Sequence, residues 1–149
     1  MFFDTGFLRN DEIQLVLEQT TEGNDEKGWV PAYYFAICDL DGNKMGTCVL
    51  RVGYNERVYY GGNIGYHVFE EFRGRHYAGK ACNLLFELAR KHEMNYLIIT
   101  CSPDNIASRK TCEYVGGELL EVAELPDWFD RKPGQDIKCI FRYELGAKR

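Results

Sequence analysis

At 149 residues the chain is long enough to bury one sizeable core and too short for two, and its 45% hydrophobic and 14% aromatic content excludes a disordered chain. A net charge of −5 argues against a general nucleic-acid binder, which would carry a basic face, although a local basic loop stays compatible with the rest. No apolar run has membrane-span length, and Met1-Phe2-Phe3-Asp4 lacks the charged start and apolar core of a secretion signal, so a single cytoplasmic domain over residues 1–149 is expected, with no membrane and no nucleic acid as partner.

In chain order, Phe2 to Leu8 reads as a weak strand interrupted by Gly6. Asn10 can cap a helix whose first turn carries Asp11 and Glu12 and whose Ile13, Val16 and Leu17 share a face. Thr20 to Lys27 is polar and acidic and reads as a loop; the tryptophan beside it, Trp29, reads as an anchor for that loop or as the lining of a pocket. Pro31 to Leu40 and Lys44 to Val52 are strand-like, and Asp41-Gly42 between them supplies a hairpin turn. A polar break at Gly53 to Glu56 precedes Val58-Tyr59-Tyr60. Gly61-Gly62 then leads into Ile64 to Val68, where Ile64, Tyr66 and Val68 take one face and Gly65 and His67 the other. A meander of strands thus feeds the next segment.

That segment, Val68 to Ala81, holds a short loop of glycines and basic residues followed by the clearest helix of the chain. Ala78, Ala81, Cys82, Leu85, Leu88 and Ala89 recur at the spacing of one apolar helix face up to Lys91. The helix start lies at the loop, where unpaired N–H groups and the helix dipole suit an anion. His92, at the far end, reads as a charge near the negative end of the dipole.

Tyr96 to Cys101 is a buried strand, completing a right-handed strand–helix–strand unit. Pro103-Asp104-Asn105 starts a second helix, which Gly116-Gly117 ends. Glu118 to Leu125 and Ile137 to Leu145 are two closing strands, joined by a loop from Pro126 to Asp136 long enough to carry function. The cysteines at 38, 48, 82, 101, 112 and 139 show no metal-ligand spacing; Cys38, Cys48, Cys82 and Cys139 read as reduced core residues, and no metal is expected.

Arg73-Gly74-Arg75-His76-Tyr77-Ala78 resembles the Arg/Gln-x-x-Gly-x-Gly/Ala signature of the GNAT acetyltransferases. Asn63 to Val68 before it resembles the family's fourth strand, and Asn105-Ile106-Ala107-Ser108, with Gly116 eleven residues after Asn105, resembles its Asn-x-x-Ser/Ala helix. The pattern is closest to the subgroup that acetylates the N-terminal alanine of ribosomal proteins. One departure is His76, which stands at the family's central glycine, so its imidazole points away from the phosphates or donates to them. A second loop reading also exists, since Gly74-x-x-x-x-Gly79-Lys80-Ala81 nearly fits a nucleotide-binding P-loop; Ala81 sits where the metal-binding hydroxyl belongs.

The resemblance implies an α+β fold, with a mostly antiparallel sheet of six to seven strands, a βαβ core, splayed fourth and fifth strands, and flanking helices. It implies acetyl-CoA as cosubstrate and direct transfer of acetyl to a primary amine in a ternary complex. On this reading backbone groups near His67 and Val68 pair with the pantetheine, Arg73, Gly74, Arg75, His76, Tyr77, Ala78, Gly79 and Lys80 hold the pyrophosphate, and Asn105 and Ser108 contact the cofactor. Where many members have a tyrosine acid, this chain has Cys112; His67 is the candidate base. The acceptor is a small-molecule or protein amine, and family resemblance favours a homodimer built by strand addition at the hairpin or C-terminal strands. A catalytically weak acyl-CoA-binding module is the alternative to an enzyme.

Overall fold

The computed structural model describes residues 2–146. Strands β1 (Ile13–Thr21), β2 (Ala32–Asp39), β3 (Lys44–Arg51), β4 (Ile64–Val68), β5 (Tyr96–Cys101), β6 (Glu118–Glu124) and β7 (Ile137–Glu144) form one seven-stranded sheet in the order β1-β2-β3-β4-β5-β7-β6. Its neighbours are antiparallel except β4 and β5, which run parallel. Helix α1 (Glu56–Gly61) precedes β4, α2 (Tyr77–Lys91) connects β4 to β5, and α3 (Ile106–Tyr114) follows β5. This is the mixed α+β architecture that the resemblance implies.

The periodicity of α2 is realised as packing. Ala81, Cys82, Leu85, Leu88 and Ala89 are buried against Tyr33, Phe35, Cys48, Leu50, Ile64, Leu97 and Ile99 of the sheet. Each fully buried Leu or Phe contributes about 1.5–3 kcal/mol of transfer free energy, so α2 is the main hydrophobic tie on this face. All six cysteines are free and buried.

Two local expectations are corrected. Residues 10–17 form a turn and the start of β1, not a helix. Asn10 Oδ1 accepts from the N–H groups of both Glu12 and Ile13 at 2.8 Å, which is cap chemistry, but the chain leaves the turn extended. Ile13 and Leu15 then alternate into the core while Val16 and Leu17 remain 44% and 40% exposed, so the period is two and pairing with β2 decides the outcome. Residues 2–8 are not a strand; Phe2 packs edge-on against Tyr33 and Phe3 lies on His92. Val58-Tyr59-Tyr60, to which the sequence assigned no element, lies within α1, because Asn55 Oδ1 accepts from Val58 N–H at 2.9 Å and starts a helical turn.

The hairpin strands β2 and β3 lie inside the sheet, so an edge-to-edge dimer would have to use β1 or β6. His92 is half-buried beside Tyr33, with Nε2 2.6 Å from Tyr33 Oη; burial lowers its pKa, so it is a neutral ring and not the helix-end charge expected.

The parallel pair is held at one point. β4 and β5 are in register only at Ile64 and Ile99. Just before it, the wholly buried Asn63 donates its N–H to Ile98 O at 2.6 Å and accepts from Ile98 N–H on Oδ1 at 2.9 Å. Its Nδ2 donates to Arg51 O and Gly53 O at 3.0 and 2.9 Å. One amide thus ties the end of β3 and the turn after it to β5; beyond it, β4 and β5 separate.

Two outcomes follow from these contacts. Asn63→Ala removes the side-chain partner of one buried and two part-buried main-chain groups and should lower the unfolding free energy by roughly 3 kcal/mol in urea titration, against less than about 1 kcal/mol for the exposed Asn43→Ala. For His92, the folded pKa lies below the unfolded value of 6.5. Above that value the ring adds no pH dependence; as pH falls through it, the unfolded chain takes up a proton the folded chain refuses, and stability drops. His92→Gln should therefore flatten the fall in melting temperature between about pH 7 and pH 5.

Candidate active site

The start of α2 is built from main chain. Gly74 (φ 87°) and His76 (φ 63°) both adopt the left-handed conformation, no side chain caps the helix, and the first helical bond is Lys80 N–H to His76 O. Among the described residues, no N–H from Gly74 through Gly79 donates to a main-chain acceptor. Successive N–H groups turned to one side by alternating conformations make an anion cradle, strengthened by the helix dipole. A side chain at Gly74 would meet nothing within 4 Å, so glycine is required there by the backbone angle and not by space.

His76 occupies a conformation that costs a non-glycine residue about 1–2 kcal/mol. Its ring stacks on Tyr114 of α3, with centroids 4.5 Å apart and planes 10° apart, which returns about 0.5–1.5 kcal/mol. The imidazole is thereby drawn along α3 while its peptide stays in the loop. Gly79 serves the same contact: a Cβ there would lie 2.4 Å from the Tyr114 ring.

The loop opens on a cavity of about 390 Å³ between β4, α2 and α3. Of the residues expected to act here, His67, Val68, Arg73, Gly74, His76, Tyr77, Ala78, Asn105 and Ser108 line it. Arg73 Nε donates to Val68 O at 3.0 Å, closing the end of β4. Arg75 is exposed. Lys80 is turned away, paired with Glu12 of the turn before β1 at 2.7 Å, and Ala81 is buried, so the P-loop reading has neither its lysine nor its hydroxyl.

Register decides which atoms of β4 face the gap. Arg51 N–H donates to Asn63 O and Phe69 N–H to Met45 O, so the odd-numbered residues of β4 exchange hydrogen bonds with β3. The main chain of Tyr66 and Val68 therefore points toward β5, past the last paired residue. His67 uses its main chain on Thr47, and its exposed ring lies on the sheet face opposite Tyr66.

Tyr66 spans the gap. Its hydroxyl is 2.7 Å from Ser108 Oγ, and Ser108 N–H donates to Asn105 Oδ1 at 3.1 Å, so the Asn105 cap also positions the Tyr66 partner. Burial pushes the Tyr66 hydroxyl well above its usual range. Cys112 lies behind it, wholly buried, with Sγ 3.9 Å from Tyr66 Oη and outside the cavity lining. The hydrogen bond with Cys101 and burial hold its thiol protonated.

A second cavity, of about 430 Å³, lies at the other end of β4. Gly61, Gly62, Arg51, Arg57, Tyr34 and Trp29 line it, with Glu22 from the acidic loop and Phe129 and Asp130 from the loop after β6. Trp29 is 52% exposed and does both: its ring lines this pocket, while its main chain bridges Asn24 and Lys27 lies 4.6 Å over the ring, which ties down the acidic loop. Sequence reasoning missed Tyr66 as a gap residue and Arg51 altogether; the available signal for Arg51 was a cation inside the apolar run Val49-Leu50-Arg51-Val52.

Residues 6–118 match the family model described as an acetyltransferase (GNAT) domain. Among solved structures, the chain is similar to apo RimL, a ribosomal L7/L12 alpha-N-protein acetyltransferase, with TM-score 0.61 and 18% identity over 83% of this chain and 74% of that one. It is also similar to the microcin C7 self-immunity acetyltransferase MccE in complex with acetyl-CoA and AMP, with TM-score 0.61 and 21% identity over 76% and 61% of the two chains. A third is the ribosomal-protein-S5-alanine acetyltransferase from Vibrio fischeri, with TM-score 0.62 and 17% identity over 76% and 62%. The chain thus spans less than two thirds of the length of MccE, of the Vibrio fischeri enzyme and of a probable acetyltransferase of which it covers 62%. No curated protein matches the sequence. Because the matched segment runs from before β1 to the first residue of β6, and so contains the separated strands, the donor loop and the Asn105 cap, the chain belongs to the GNAT acetyltransferase family.

Proposed function

We propose that this protein transfers the acetyl group of acetyl-CoA to an amine by direct attack. The observation that carries this reading is the run of free N–H groups from Gly74 to Gly79, placed where the gap between β4 and β5 opens. Those donors, with Arg73 and Arg75 beside them, suit a pyrophosphate. The main chain of Tyr66 and the N–H of Val68 supply a strand edge for the amides of a pantetheine arm. Bound there, acetyl-CoA supplies an activated acyl group.

The chain's own residues divide the proton work. His67 is the base, its ring exposed beside Phe69 and its main chain already committed to β3. At the leaving sulfur we assign the hydrogen-bond donor to Tyr66, oriented by Ser108, in place of Cys112, whose thiol is enclosed behind it. A hydroxyl held so firmly protonated stabilises a thiolate by donating to it and does not give up its proton ahead of a thiol. The acceptor amine enters from the second cavity, on the sheet face that carries Gly65 and His67. The stacked His76 removes the main reason for preferring a weak binding module, since the loop keeps its donors despite the missing glycine.

Gly74→Val forces a β-branched residue to φ 87° and should weaken acetyl-CoA binding at least about tenfold by calorimetry, while Lys91→Ala, at the far end of α2, should stay within about twofold. Equal losses would remove the loop from the site. His67→Gln should lower kcat about ten- to a hundredfold with little change in acetyl-CoA affinity. Tyr66→Phe should likewise lower kcat about ten- to a hundredfold. A His67→Gln kcat equal to that of wild type would leave the base to solvent.

A further inference from the structure

Resting on the acetyltransferase reading, we propose that the acceptor is a small amine bearing an anionic group, carboxylate or phosphate, and that Arg51 reads that group. Arg51 ends β3 inside the second cavity. Its guanidinium makes one protein hydrogen bond among the described residues, Nη1 to Gly62 O at 3.0 Å, out of five donors it can offer. No described carboxylate lies within ion-pair distance of it. Burial also pulls its pKa below the usual guanidinium range.

A partly desolvated cation without a counter-ion is costly to the fold. Its main chain needs no help, since Asn63 O and Asn63 Nδ2 already satisfy its N–H and carbonyl. The side chain is therefore equipped for something that arrives from outside. Arg57 of α1 adds a second cation to the cavity, its guanidinium 5.3 Å over the Trp128 ring and likewise without a carboxylate partner among the described residues. Glu22 and Asp130 are exposed at the mouth, outside ion-pair distance of both arginines, and can draw an ammonium group in from solvent.

The register limits the length of the acceptor. Arg51 Nη1 lies 3.9 Å from where a Cβ of Gly65 would be, so the guanidinium rests over a bare stretch of β4. His67 is two residues further on the same face, about 7 Å along the strand. An anion held by Arg51 and an amine presented to His67 are thus a few bonds apart, as in short amino acids and aminoalkyl phosphates. A cavity of about 430 Å³ accommodates molecules of that size.

The test is a panel of short amino acids, aminoalkyl phosphates, their uncharged amide or alcohol counterparts of equal length, and short peptide amides. Each is assayed for kcat/KM with saturating acetyl-CoA. Anionic members should exceed their uncharged counterparts at least about thirtyfold, and in Arg51→Gln that ratio should fall to near one. The carboxylate and phosphate series, read against each other, identify the group. Arg57→Gln should reduce the same ratio by a smaller factor, and it covers the case in which Arg51→Gln fails to fold. Uncharged amines or peptide amides used equally well by the wild type, or a ratio untouched in both variants, would overturn the proposal. If no amine is acetylated although acetyl-CoA binds, the transferase reading is what has failed. Calorimetry of the same anionic amines then decides the site: binding abolished by Arg51→Gln or Arg57→Gln supports it, and no binding overturns it.

Discussion

The structure depends on one buried amide. Asn63 satisfies both sides of the Ile98 peptide and the carbonyls of Arg51 and Gly53, so three segments that would otherwise drift apart meet at a single side chain. A parallel pair normally continues residue by residue once begun, because each further bond costs little after the first. Here it stops after Ile64 and Ile99, and α2 and α3 are packed so that Tyr66 reaches across to Ser108 in place of a ladder. Had pairing continued, the β4 atoms that face the gap would be spent on β5. Their freedom leaves an unpaired strand edge inside the sheet and not at its rim.

For the proposed reaction, the anion cradle answers a problem posed by composition. A chain of net charge −5 repels a polyanionic ligand at long range, and salt screens that field beyond roughly 8–10 Å. Main-chain donors act inside that distance and carry no side-chain entropy cost when they bind. That explains why Lys80 can be given to Glu12, where it ties α2 to the turn before β1, without emptying the loop of positive potential. On the same proposal a histidine is tolerated at His76 because the part of it that would face the ligand is its peptide, while its ring stacks on Tyr114.

Legibility in the sequence followed the strength of local signals. The apolar stripe of α2, the Asp41-Gly42 turn and the Asn105 cap each have a mechanism confined to a few neighbouring residues, and each appears where those residues stand. Asn10 shows the limit of the same logic. An asparagine that accepts two N–H bonds starts a helix or a turn into a strand with equal ease, and only the partner strand β2, distant in sequence, chose between them. The family was legible because its pattern lies along the chain, in the segment from Asn63 to Gly117. The Tyr66 bridge and the Arg51 pocket were not, because each needs elements tens of residues apart: β4 with α3 in one case, β3 and α1 with the loop after β6 in the other.

The placement of His67 and Tyr66 has a consequence for the proposed reaction. Acetyl transfer to an amine releases a proton from the nitrogen and leaves negative charge on sulfur, so the site needs an acceptor and a donor that do not neutralise each other before the chemistry. Neighbouring residues of a strand point to opposite faces. His67 faces the side that carries Gly65 and Arg51, and Tyr66 faces α3, with the backbone of β4 between them. The two groups are one residue apart in sequence and yet cannot form a hydrogen bond with each other. A strand whose outer edge is unpaired can therefore bind the cofactor with its main chain, take a proton on one face and steady the leaving sulfur from the other, which three residues on a helix could not do from a single short segment.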